Sequence, residues 1–144
     1  MKSVLKRVMP VIVLGTALSG CATSGLGLTS TETISGSITY RERMMLPPSS
    51  VVSVALEDVS RMDAPAITVE KTVFETQGKQ VPLPFELTYD ASEINPKHQY
   101  ALRVRIEAGG QLRFTNDTRI PVITDEQETH DVNVHVKAVG RRLK

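Results

Sequence analysis

The sequence predicts an all-β protein, a single small antiparallel β-sandwich or barrel of seven or eight short strands. Three observations support this. From Ile34 onward apolar residues recur with a period of two, the signature of strands buried on one face. Clusters of Gly, Pro, Asn, Asp and Ser punctuate the runs at short intervals. No segment keeps a helical period for more than a turn or two, and many short strands with turns between them form sandwiches or small barrels.

In the first run Ile34, Gly36, Ile38 and Tyr40 share one parity and are expected to face the core. Val52, Val54 and Leu56 do the same in the second. Residues 67–74 are rich in β-branched side chains, which favour extended backbone, but Lys71 interrupts them and leaves the inward face undetermined. In the fourth run Val81, Leu83, Phe85, Leu87 and Tyr89 alternate without a break. Pro82 and Pro84 there remove two N–H groups from one lateral side, so this strand is expected at a sheet edge.

One short helical turn is expected at Asp90-Ala91-Ser92-Glu93, with Asp90 and Glu93 capping each other's backbone and Asn95-Pro96 ending it. In the fifth run Tyr100, Leu102, Val104 and Ile106 point inward and Arg103, Arg105 and Glu107 outward. It turns through Gly109-Gly110 into Leu112-Arg113-Phe114, the strongest hairpin signal in the chain. A short run over residues 119–123 precedes the last strand, where Val132, Val134 and Val136 alternate with polar neighbours.

The 144 residues suit one domain. Lys and Arg number 17 against 16 Asp and Glu, a formal net charge of +1, and this balance creates no field that would gather nucleic-acid phosphates. The single cysteine, Cys21, excludes an internal disulfide and a multi-cysteine zinc site.

The domain is preceded by a different kind of segment. Lys2, Lys6 and Arg7 stand ahead of an apolar stretch over residues 8–18, the charged and apolar regions of an export signal. That stretch is too short to cross a bilayer, which takes about 20 apolar residues. Leu18-Ser19-Gly20-Cys21 resembles the lipobox of bacterial lipoproteins, in which signal peptidase recognises the aliphatic and small residues and the cysteine becomes the lipidated N-terminus. A thiolate is the nucleophile best suited to alkylation by a lipid donor, and two or more acyl chains anchor stably.

By the same resemblance, Ala22, in place of the Asp that retains lipoproteins in the inner membrane, sends the protein to the inner leaflet of the outer membrane, facing the periplasm. The expected organisation is a signal peptide over 1–20, a lipidated cysteine with a flexible linker over 21–33, a β-domain over 34–139 and a basic tail over 140–144. A linker of this composition spans roughly 20 Å. Cleavage removes three basic residues and leaves the mature chain net acidic.

No catalytic constellation emerges. The nucleophile-elbow pattern is absent, Cys21 is consumed by lipid, and Glu57 and Asp58 point apart on a strand end. His130 and His135, five apart, would face opposite sides of a strand, and His98 falls in a loop as a solvated or hydrogen-bonded residue. Asp125, Glu126 and Glu128 lack EF-hand spacing. No metal site and no cofactor is expected beyond the covalent lipid on Cys21. Two features suit protein recognition. Met44-Met45-Leu46 places three apolar residues in a loop, either as a plug for the end of the sandwich or as an adaptable contact surface. Arg103 and Arg105, with His135 and Lys137, form either a basic outer face for an acidic partner or a scattered solvated surface.

Gly36-Ser37-Ile38-Thr39-Tyr40, Leu46-Pro47-Pro48, Val54-Ala55-Leu56-Glu57-Asp58-Val59-Ser60, Asp63-Ala64-Pro65, Pro84-Phe85-Glu86-Leu87, Ile94-Asn95-Pro96 and Thr115-Asn116-Asp117-Thr118 occur in this order. Together they make the chain resemble the YbaY/YscW family of lipoproteins, more closely its YbaY branch than the branch that includes type III secretion pilotins. The resemblance implies a β-sandwich lipoprotein without known catalysis and names no partner. The expected function is a lipid-anchored, non-enzymatic protein-binding or chaperone-like module with an unidentified envelope client and no nucleic acid. The alternative is a lipoprotein that binds a small ligand or glycan in the envelope-stress response.

Overall fold

A computed structural model gives the architecture, and the structure describes residues 30–140. Its elements are β1 (Thr31–Thr39), β2 (Val51–Asp58), β3 (Ile67–Glu75), β4 (Leu83–Asp90), a 3-10 turn (Ala91–Glu93), β5 (Tyr100–Ala108), β6 (Gln111–Thr115), β7 (Ile120–Val122), β8 (Val132–His135) and β9 (Lys137–Ala138). One sheet has the order β4-β1-β8 and the other β3-β2-β5-β6-β9, with β7 also paired to β5. The two pack as a sandwich. Its core is formed by the alternating residues of both inner faces, among them Ile34, Ile38, Phe85 and Leu87 from one sheet and Val54, Leu56, Val104 and Ile106 from the other.

β1 begins at Thr31, which pairs with Asp90, so the strand reaches three residues into the expected linker. β4 is the outer strand of its sheet, where Pro84 is tolerated, while Pro82 falls just before the strand. The sequence predicts an antiparallel sandwich; β8 instead runs parallel to β1, from Gly36↔Val132 to Thr39↔His135. The elements from β2 to β7 lie between the two strands in sequence and supply the crossover that a parallel pair needs. Gly36 permits the approach, because a Cβ there would lie 2.0 Å from the Val132 carbonyl oxygen.

The last run divides at Val136, giving nine strands. Val136 donates its N–H to Thr39 and is fully buried, and there the chain leaves β1's sheet and joins the other beside β6. Val132, Val134 and Val136 nevertheless all point into the core. Gly109 (φ +59) and Gly110 (φ +73) form the two-residue turn between β5 and β6, where positive φ at both positions favours glycine. At the 3-10 turn Asp90 does act as the cap, but its Oδ1 accepts from Ser92 N and Oγ and not from Glu93.

One end of the sandwich, here called the tether end, holds the start of β1, the end of β4 and the start of β5. The far end holds the loop over residues 40–50 and the β5–β6 turn.

Candidate functional site

At the far end, the loop between β1 and β2 is fixed by three sets of contacts. The Tyr40 ring stacks on Phe114, with centroids 4.4 Å apart. The Tyr40 hydroxyl donates to the Met44 carbonyl at 2.7 Å. Gln80 clamps Leu46, accepting from its N–H at 2.8 Å and donating to its carbonyl at 3.1 Å.

These contacts sort the apolar triplet. Leu46 is 2% exposed and belongs to the core, so of the two alternatives it takes the plug and drops out of the candidate contact surface. Met44 and Met45 are left 54% and 79% exposed. With Pro47, Phe114, Ala138, Val139 and Arg113 they line a groove of about 250 Å³. Val139 adds a third large exposed apolar side chain. Exposed apolar groups clustered on one concavity mark contact surfaces far better than scattered ones do. Val139, Arg113 and Phe114 were not singled out in the sequence, because only the β6–β9 pairing brings them beside residues 44–47.

β9 is the edge strand of its sheet, and Glu42 covers it by accepting from Ala138 N at 2.9 Å. That amide holds the Glu42 carboxyl below its usual range against the opposing effect of desolvation, with help from the loop's own amides and His135. Burial raises the Tyr40 hydroxyl's pKa, and the Glu42 charge adds to it.

Arg103 and Arg105 lie on the outer face of the larger sheet, where Arg105 is aligned with Ser53 on β2 and Thr115 on β6. Thr115 pairs in turn with Lys137, so Arg105 and Lys137 share one row. His135 does not join them, because β8 belongs to the opposite sheet. The cations have local partners: Arg103 with Glu57 at 3.5 Å, Arg105 with Glu107 at 3.7 Å and Lys137 with Asp117 at 2.7 Å. The face is therefore a charge-balanced surface, and an acidic partner would have to compete with these carboxylates.

His98 is hydrogen-bonded as expected, its Nδ1 lying 2.7 Å from Asp58 Oδ2. His130 precedes β8 and His135 lies on it. No group of three or more His, Cys, Asp or Glu among the described residues is arranged to hold a metal. No described helix is long and apolar enough to cross a membrane. Leu18, Ser19, Gly20, Cys21 and Ala22 lie outside the described residues.

Comparison with known proteins gives a consistent picture. Residues 29–134 match the family YscW, described as the type III secretion system lipoprotein chaperone. The chain is 34% identical over 90 residues to the uncharacterized lipoprotein YbaY of Escherichia coli K12, a match that covers 62% of this chain and 47% of that protein. The chain thus spans about half the length of this curated relative. A solved structure of an alternative pilotin from the type II secretion system of Vibrio cholerae superposes with a TM-score of 0.73 at 47% identity, covering 76% of this chain and 98% of the pilotin.

Proposed function

The chain belongs to the YscW family of lipoprotein chaperones, and from that premise we propose that it is a non-enzymatic, pilotin-like module that binds an envelope protein. Membership places it among lipoproteins of the cell envelope. In this reading Leu18, Ser19 and Gly20 direct cleavage, Cys21 carries the lipid, and Ala22 sends the protein to the inner leaflet of the outer membrane. The domain faces the periplasm and brings its client to that membrane. The pilotin relative suggests an outer-membrane secretion channel as the class of client.

The observation that carries this reading is the far-end groove. Met44 and Met45 stand exposed on a loop that Tyr40 and Gln80 hold in place. The scaffold is therefore pre-organised, while the unbranched thioethers adapt to the surface they meet. Contact at this groove leaves the tether end free to face the membrane.

The test is photo-crosslinking from position 113, on the rim of the groove, in native membranes. One defined outer-membrane protein should be captured, and Met44→Asp with Met45→Asp should reduce its capture by at least about tenfold. Both residues are exposed, so the melting temperature should hold. Recovery of abundant neighbours alone, unchanged in the double variant, overturns the reading.

A further inference from the structure

We propose that the tether end carries a second binding site, a cleft that takes a Lys or Arg side chain flanked by apolar residues in a peptide segment of a partner protein. The cleft measures about 370 Å³ and lies against the start of β1, at the lower end of the roughly 300–1,000 Å³ typical of ligand pockets. Ala91, Ile94, Pro96 and Ile123 give it an apolar lining. Three of these, Ala91, Ile94 and Ile123, pack against the main core, so the floor is firm.

The polar side is acidic and comes from two separate elements. Glu32 projects from β1 and Asp125 from the loop between β7 and β8. The Tyr89 hydroxyl, on a ring only 2% exposed, donates to Glu32 Oε2 at 2.7 Å and orients that carboxylate at the cleft. Asp125 has no ion pair among the described residues.

The surroundings reinforce the sign. Residues 90–97 and 123–126, which supply or adjoin the lining, hold Asp90, Glu93 and Glu126 besides Asp125, with Lys97 the one Lys or Arg among them. An apolar floor with two carboxylates on its rim matches a long basic side chain, whose methylenes bury while its head stays at the charged rim. An acidic segment would meet repulsion at the same place. The cleft differs from the far-end groove in position, lining and charge, and it does not depend on the role proposed for Met44 and Met45. A partner held at both ends would gain affinity through linkage of the two contacts.

The test uses the full-length chain in detergent and three fluorescein-labelled peptides, followed by anisotropy. They are acetyl-Leu-Lys-Leu-Arg-Leu-amide, the same peptide with Glu and Asp for Lys and Arg, and one with Ser at both positions. The basic peptide should bind, and its affinity should fall with added salt. Asp125→Asn and Glu32→Gln should each weaken it about two- to fivefold, the factor for a solvent-touched ion pair. Asp125→Asn leaves the Tyr89 contact intact, so its effect reads charge alone. Met44→Asp should leave this binding unchanged, which separates it from the far-end reading. Equal binding of the three peptides, no binding of the basic one at millimolar concentration, or indifference to both charge-removing variants overturns the proposal.

Discussion

Asp58 is a carboxyl on which burial and hydrogen bonding pull in opposite directions. Desolvation raises its pKa, but bonds from the Ser60 hydroxyl and amide and from His98 outweigh it, so the group titrates below its ordinary range. A carboxyl held low in the fold stabilises the fold above its unfolded pKa, about 3.9. That contribution is lost as pH falls through the folded value. Asp58→Asn should therefore unfold less steeply than the parent between pH 5 and pH 2, while the parent is the more stable at pH 7. Urea midpoints across that range measure it, and parallel profiles would sink the idea. The sequence placed His98 correctly in a hydrogen-bonding loop, since it precedes a strand beside Asn95-Pro96. Its partner lies 40 residues away, beyond any local pattern. The same distance effect hid the fate of Leu46, because the clamp from Gln80 spans 34 residues.

Strands with regular register were the legible part of the fold, and those with a defect were not. β5 shows its inward face in Tyr100, Leu102, Val104 and Ile106 because it pairs with β2 without interruption. β3 carries a bulge: Leu56 pairs with Glu70 but Glu57 with Thr68, leaving Val69 as the extra residue. The partly buried positions run Val69, then Thr72 and Phe74, so the parity flips and no single alternation fits. A second irregularity shows what a defect costs and how it is repaired. β6 leaves β5 after Thr115 and β7 joins it at Ile120, opposite Leu102. Asn116 fills the break, accepting from Val104 N at 2.8 Å and donating to the carbonyls of Leu102 and Thr118 at 3.0 and 2.9 Å. The side chain acts as a missing piece of strand and is buried with Leu102 and Val104, whose backbone groups it serves. Asn116→Ala should cost about 2–3 kcal/mol, because it strands a buried N–H and carbonyl in the sheet. A urea-unfolding loss below about 0.5 kcal/mol would show that water replaces the amide. The motif Thr115-Asn116-Asp117-Thr118 flagged this place in the sequence, but only the strand pairing shows its task.

At the scale of the molecule, the two ends of the sandwich differ in lining and charge. The chain enters β1 at the acidic end, and the exposed methionines stand at the other. A lipid on Cys21 would hold the acidic end toward the bilayer and present the methionine groove to the periplasm, confining the search for a client to a thin layer. Tethering of this kind raises apparent affinity by about 10²–10⁴ without a new contact. Cys21→Ser should therefore separate the two contributions. The variant should move from the membrane to the soluble fraction and keep the melting temperature of the domain, since the folded core begins at Ile34. It should also lose most crosslinking to the outer-membrane client although Met44 and Met45 are intact. Restoring the local concentration, by fusing the Cys21→Ser chain to an unrelated outer-membrane anchor, should restore capture. Fractionation and crosslinking yield provide the measurement. If Cys21→Ser stays membrane-bound, the attachment lies elsewhere in the chain, and if the anchored fusion fails to recover the client, the cysteine does more than attach the domain.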